Sequence, residues 1–79
     1  MKRKYSVSKK ITDEMANQTI DEVKKVTGCE DVEFTDNYSY VVVKASDENI
    51  THVMNRAVNI FARVCDGANI SFDSFVYED

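Results

Sequence analysis

The chain alternates between two hydrophobic periods, and the order of that alternation constrains its fold more than any other feature. Residues 13–28 and 46–65 carry apolar side chains at the i, i+3, i+4, i+7 spacing of a single helical face. Four segments are rich in alternating or β-branched residues and predict strands: 4–7, 31–34, 40–45 and 69–77. The order β-α-β-β-α-β predicts an α+β, ferredoxin-like fold, in which two helices cover one face of a four-stranded antiparallel sheet.

Residues that favour helix ends mark the limits of both predicted helices. Thr12 is a suitable N-cap for the first helix, and Gly28, just past its last apolar position, predicts a C′ glycine. Ser46 or Asp47 is expected to cap the second helix. This helix has the longer apolar stripe, and we expect Phe61 on that stripe to be a core residue.

Length and charge bound the function. A chain of 79 residues predicts one domain, residues 1–79. No apolar segment approaches the roughly 20 residues of a membrane span, and the basic first residues are not followed by the apolar core of a signal peptide. We therefore predict a cytoplasmic protein without a membrane partner.

The net charge is −4 although half of the ten basic residues fall within positions 1–10. The acidic remainder would repel a phosphate backbone, which predicts no nucleic-acid partner.

The sequence also lacks the combinations of residues that enzymes use. Its only histidine, His52, is expected on the polar side of the second helix, without a nucleophile beside it. Two glycines in the whole chain cannot form a glycine-rich phosphate loop. We therefore predict a protein that is not an enzyme and has no cofactor.

The predicted strands follow one another at a characteristic spacing. Tyr5 and Val7 give a first strand of the form YxV, and residues 29–34 match a second strand of the form VExVxV. Val41 and Val43 then follow at the distance of the returning strand. In this pattern the chain resembles the heavy-metal-associated domains of P-type ATPases and small copper chaperones. The match runs without a gap from Tyr5 to Val43 and continues more loosely to the end of the chain. The resemblance implies the same βαββαβ fold.

The resemblance does not extend to the metal-binding motif of that family, GMxCxxC. Aligned without gaps, the two family cysteines fall on Thr12 and Met15, the glycine on Lys9 and the next hydrophobic residue on Lys10. Paired thiolates hold Cu(I) or Zn(II) because charged, soft sulfur suits these ions. A hydroxyl is a poor ligand for them, one thioether adds little, and two lysines oppose a cation. We therefore predict a degenerate member of the family with no metal at this loop.

The predicted fold gathers three loops at one end of the domain. These are the loop between the first strand and the first helix, the turn between the second and third strands, and the segment after the second helix; we call this the junction end. The chemically relevant residues expected there are Thr12, Met15, Asp36, Asn37, Cys65 and Asp66. An atypical metal or redox-sensing site of Cys65 with Met15 or Asp66 is the alternative function that this gathering suggests.

The two cysteines are expected to be free thiols. Cys29 follows the first helix and Cys65 closes the second, so the predicted fold places them at opposite ends. A helix of about 15 residues separates these ends by around 20 Å, and a disulfide needs Cα atoms within about 7 Å. A buried thiol is the more common state of a cytoplasmic cysteine and is the competing interpretation of Cys65.

The leading functional hypothesis is a small, non-catalytic binding or regulatory module. It would dock to an unknown protein partner or domain through the junction end or through the open face of the sheet. Alternation along the strands predicts that Tyr38, Tyr40 and Val42 face outward there, as an interaction patch. A third hypothesis is a small-molecule-sensing domain that dimerises through its sheet edges.

Overall fold

A computed structural model describes residues 1–77, and these residues form a four-stranded antiparallel sheet with two helices on one face. The elements in chain order are β1 (Lys2–Val7), α1 (Asp13–Lys24), β2 (Cys29–Thr35), β3 (Tyr40–Ala45), α2 (Ile50–Val64) and β4 (Ile70–Val76). The strands are ordered β2-β3-β1-β4, and each neighbouring pair is antiparallel. The predicted ferredoxin-like fold is confirmed. The predicted domain, 1–79, extends past the described residues and stays a prediction.

The core lies between the helices and the inner face of the sheet. The stripe of α2 supplies more of the buried side chains than any other element, and β3 supplies a buried row opposite them. The members from these two elements are Ile50, Val53, Met54, Ala57, Phe61, Val41, Val43 and Ala45. Phe61 is fully buried, and its ring centroid lies 5.8 Å from that of Phe34 on β2. The prediction that Phe61 is a core residue is confirmed.

The turn after α1 differs from the sequence prediction. The helix ends at Lys24 with Lys25 as its C-cap, so Gly28 is not the C′ residue but lies in the turn that enters β2. Its φ of +95° is a conformation that glycine adopts without steric cost. A Cβ atom on Gly28 would lie 2.7 Å from Cβ of Asn49. The glycine is therefore needed for the close approach of two turns, not for ending the helix.

The start of α2 also differs from the prediction. Asn49 is the N-cap, so the prediction of Ser46 or Asp47 at that position is wrong. The carbonyl of Ser46 accepts hydrogen bonds from the amides of Asn49 and Ile50, at 3.0 and 2.9 Å. The Asn49 side chain donates to Oγ of Ser46, also at 3.0 Å. Ser46 therefore starts a separate turn before the helix begins.

A β-bulge changes the faces of β4. Its register against β1 shifts between Lys4 and Tyr5, so that Phe72 pairs with Tyr5 and Phe75 pairs with Arg3. Residues three apart on a regular strand point to opposite faces, whereas here both phenylalanines lie on the helix side, with ring centroids 5.1 Å apart. Both remain about half exposed at the sheet edge.

The two helices also differ from what a membrane span requires. Within residues 1–77, neither helix has the length and apolar composition needed to cross a membrane.

Candidate functional site at the junction end

Backbone hydrogen bonds join the three loops of the junction end. The amide of Val7, at the end of β1, donates to the carbonyl of Ser39 in the β2–β3 turn at 2.8 Å. The next amide, that of Ser8, donates to the carbonyl of Asn69 before β4 at 2.9 Å. The fold therefore gathers these loops as the sequence predicts.

Thr12 and Met15 have structural roles at the start of α1. Thr12 is the N-cap, as predicted, and its Oγ1 accepts a hydrogen bond from the amide of Met15 at 3.2 Å. Asp13 and Glu14 occupy the first turn, where negative charge suits the helix dipole. The Met15 side chain is half-buried and packs against the core. The two positions that align with the cysteines of the metal motif therefore hold a helix cap and a packing side chain.

Lys9 reaches across the junction end to the end of α2. Its ammonium group donates to the backbone carbonyl of Asp66 at 2.7 Å. Asp66 and Gly67 have φ values of +53° and +83°, and the Gly67 amide donates to the carbonyl of Ala62 at 2.8 Å. The charge of Lys9 thus lies at the negative end of the α2 dipole, where a cation is stabilising.

Cys65 lies in the core. It is 1% exposed, and its Sγ lies 3.3 Å from Oγ1 of Thr19 on α1, which is fully buried. Either atom can donate in this contact. Cys29 is partly exposed at the other end, and both cysteines are free thiols, as predicted. The partner that the structure gives Cys65 is thus a hydroxyl group, and the candidate set with Met15 and Asp66 remains a prediction.

The described part of the chain brings together no set of three His, Cys, Asp or Glu side chains able to hold a metal ion.

Tyr38 does not lie on the open face of the sheet, so that part of the prediction is wrong. Asp36, Asn37 and Tyr38 all have φ between +52° and +68°, and these successive left-handed residues reverse the chain. The Tyr38 ring packs edge-on against Phe34, with centroids 5.5 Å apart. Its hydroxyl group donates to the carboxylate of Asp13, and this hydrogen bond raises the pKa of Tyr38. Tyr38 therefore closes the turn against α1.

Tyr40 and Val42 are on the open face, but little of Val42 is accessible. Val42 is 7% exposed, although the sequence predicts an exposed patch. It lies between Lys4 of β1 and Glu33 of β2, whose longer side chains flank it. The ammonium group of Lys4 lies 4.4 Å from the Tyr40 ring centroid, within the range of a cation–π contact. The predicted apolar patch is therefore largely covered by its polar neighbours.

The junction end contains an open groove of about 590 Å³. Its walls are the β1–α1 loop on one side and the β2–β3 turn on the other. The lining residues are Val7, Ser8, Lys9, Lys10, Ile11, Asp36, Asn37, Tyr38 and Ser39. This junction groove combines charges of both signs with one aromatic ring, that of Tyr38, a residue type that is enriched at protein interfaces.

A second open groove, of about 430 Å³, lies between the helices and was missed by the sequence reasoning. We call it the inter-helix groove, and its lining residues are Glu22, Lys25, Val26, Thr27, His52, Arg56, Ile60 and Arg63. Three of its polar residues, His52, Arg56 and Arg63, are spaced by four and seven positions along α2. That spacing places them on one stripe of a helix and was the available signal in the sequence.

The order of the elements and the strand order define the class: a ferredoxin-like domain with the architecture of heavy-metal-associated domains. The copper binding domain of HMA7, a P-type ATPase, is similar with a TM-score of 0.74 and 9% identity, over 96% of this chain and 97% of that one. Oxidized MerP from Ralstonia metallidurans CH34 is similar with a TM-score of 0.71 and 18% identity, over 94% and 97%.

The metallochaperone CsoZ is a third structure with this fold, with a TM-score of 0.67 and 15% identity, over 91% of this chain and 97% of that one. No family model and no curated protein sequence matches the chain. The resemblance inferred from the sequence is therefore confirmed at the level of the fold.

Proposed function

We propose that this protein is a small, non-catalytic docking module with a heavy-metal-associated fold and no metal site at the junction end. The observation that carries the proposal is the use of Thr12 and Met15. The hydroxyl group of Thr12 is engaged as the cap of α1, and Met15 packs its thioether against the core. Lys9 adds a positive charge beside them, which disfavours a bound cation. The residues present do not fit a soft metal ion.

We expect such a domain to dock to a protein partner in the cytoplasm. The junction groove favours docking at this end, because it is open and Tyr38, a residue type enriched at interfaces, lines it. The open sheet face is a weaker candidate, since Val42 is buried and Lys4 stacks on Tyr40. Of the interaction residues inferred from the sequence, Tyr38 therefore has the strongest support, although at a different surface.

A metal or redox function is the alternative. Two of the similar structures are named as a copper binding domain and a metallochaperone, which favours this alternative. Cys65, with Met15 or Asp66, would have to supply the ligands. Burial of Cys65 and its contact with Thr19 oppose this arrangement, because the thiol would have to leave the core.

Titration with Cu(I) and Zn(II) under reducing conditions separates the two functions. In an NMR spectrum of the isotope-labelled chain, we expect no saturable shifts at the amides of Thr12, Met15 or Cys65. The Cys29→Ser variant is the matched control, since Cys29 is the more exposed thiol and could bind metal by itself. Saturable shifts around Cys65 that persist in this variant would replace the docking function with the metal function.

A further inference from the structure

We infer that the inter-helix groove is a docking site for an acidic segment of a protein partner. This inference rests on the proposed docking function and adds a second surface together with the chemistry of its partner.

The charge of the groove opposes the charge of the chain. The whole protein has a net charge of −4. Among the described residues that line the groove, however, Lys25, Arg56 and Arg63 face a single carboxylate, that of Glu22. A local excess of positive charge on an acidic protein attracts an acidic partner to that one surface and disfavours its approach elsewhere.

Glu22, the carboxylate that the described residues bring to the groove, is already engaged. Glu22 accepts hydrogen bonds from Arg63 and from Gln18, and the bond from Arg63 is the main reason that the pKa of Glu22 is lowered. Arg56 forms no ion pair and no side-chain hydrogen bond within residues 1–77. Its guanidinium group is therefore available to a carboxylate from outside, which it can bind through two parallel hydrogen bonds.

The groove also offers an apolar floor. Val26 and Ile60 line it, and both are partly buried side chains that pack against the core. An occupant that places an apolar side chain on this floor and carboxylates on the rim would match both features. Because the groove is open to solvent along α2, an extended peptide fits it better than an enclosed small molecule does.

NMR titration of the full chain with a short synthetic peptide tests the inference. In this peptide Asp and Glu alternate with Leu, and the control peptide has Asn and Gln in place of the acids. We expect the acidic peptide to shift amides around Lys25, His52 and Arg56, and the neutral peptide to cause no saturable shifts. Binding of both peptides alike would overturn the inference.

Two charge reversals locate the site. Arg56→Glu should weaken binding of the acidic peptide by about tenfold or more, whereas Arg56→Lys, which keeps the charge but loses the paired donors, should weaken it less. Lys10→Glu is the matched control, since it makes the same charge change in the junction groove. If Lys10→Glu weakens binding and Arg56→Glu does not, the partner docks at the junction end; the inference then fails while the proposed function stands.

Inorganic phosphate provides the remaining arm of the test. We expect phosphate to displace the peptide only through general screening, as chloride does at equal ionic strength. Saturable displacement by phosphate, with shifts at the same groove amides, would make this a site for small anions and overturn the inference. The metal titration is unaffected by either result, so the two proposals can fail separately.

Discussion

The junction groove and the inter-helix groove are both open to solvent, but they use their charged side chains differently. At the junction end, Lys9 is bonded to the carbonyl of Asp66, and Thr12 caps a helix. In the inter-helix groove, Arg56 has no such partner among the described residues. The difference teaches that a binding site is better located by side chains whose hydrogen-bonding groups are not already used within the fold. The positions that align with the cysteines of the metal motif hold a helix cap and a packing side chain, whereas Arg56 keeps a guanidinium group without a partner among the described residues.

The core beneath the junction end should be the most sensitive part of the domain. Phe61 packs on Phe34, which in turn packs on Tyr38, so Phe61 supports the β2–β3 turn from below. Phe61→Ala should lower the free energy of unfolding by about 3–5 kcal/mol, because it leaves a cavity. Ile50→Val, at the opposite end of α2, is the control and should cost about 0.5–1.5 kcal/mol. Urea unfolding followed by circular dichroism measures both, and equal stabilities for Phe61→Ala and the parent would contradict the account.

The two glycines should differ in how much an alanine substitution lowers the stability of the protein. Gly28→Ala places a Cβ atom 2.7 Å from Asn49 at a φ of +95°. Strain and overpacking together should cost about 2–4 kcal/mol. Gly67 has a φ of +83°, but a Cβ atom there would meet only the ammonium group of Lys9, at an ordinary contact distance of 3.9 Å. Gly67→Ala should therefore cost only about 1–2 kcal/mol. A larger loss of stability for Gly67→Ala in thermal unfolding would refute this assignment.

The two thiols should react at different rates. Cys65 is buried, while Cys29 is partly exposed and burial raises its pKa. A thiol-reactive chromogenic reagent should label Cys29 slowly in the folded protein and Cys65 only after unfolding. The Cys29→Ser variant should then show almost no labelling until denaturant is added. Equal labelling rates for both thiols in the folded state would mean that Cys65 is accessible.

The raised pKa of Cys29 also predicts a direction for pH dependence. As pH rises, the unfolded chain loses the Cys29 proton before the folded chain does. The stability associated with this thiol is therefore fully present below the unfolded pKa and is lost as pH rises through the folded one. Cys29→Ser should flatten this alkaline decline in unfolding measurements; an unchanged decline would assign it to other groups.

The smallest effect on stability is expected from breaking the ion pair between Arg63 and Glu22 on the rim of the inter-helix groove. Arg63→Ala should raise the pKa of Glu22 toward its ordinary value, because the hydrogen bond from Arg63 is its largest perturbation. The contribution of the pair to stability is present above the unfolded pKa of Glu22 and is lost as pH falls through the folded one. Lys24→Ala is the control, since Lys24 pairs with Asp31. An NMR pH titration in which both variants behave alike would contradict the assignment.

The order of the elements, the stripe of α2 and the cap at Thr12 could be predicted because they depend on local sequence patterns. Phe61 was identified for the same reason, since its neighbours on the helix follow from a fixed period. The misplaced features depend on contacts between distant residues. Gly28 is required by the side chain of Asn49, and the N-cap of α2 moved to Asn49 because Ser46 first forms a turn of its own.

The candidate site was harder to predict than the fold. Simple alternation placed Tyr38 outward, whereas three left-handed residues turn it toward α1. A bulge in β4 brings Phe72 and Phe75 to one face, and no residue pattern in that strand predicts the bulge. Burial of Val42 results from long side chains on both neighbouring strands. Each of these outcomes depends on backbone geometry or on cross-strand neighbours that strand alternation alone does not specify.

The central claim, that the junction end has no soft-metal site, is tested most directly by restoring the missing thiols. Thr12→Cys with Met15→Cys would place a CxxC pair at the start of α1, and Thr12→Ser with Met15→Ser is the control without thiols. In competition with a colorimetric Cu(I) chelator under reducing conditions, the cysteine variant should take the metal, while the parent and the serine variant should leave it with the chelator. If the parent competes as well as the cysteine variant, its ligands lie elsewhere, Cys65 is the first candidate, and the metal function replaces the docking function.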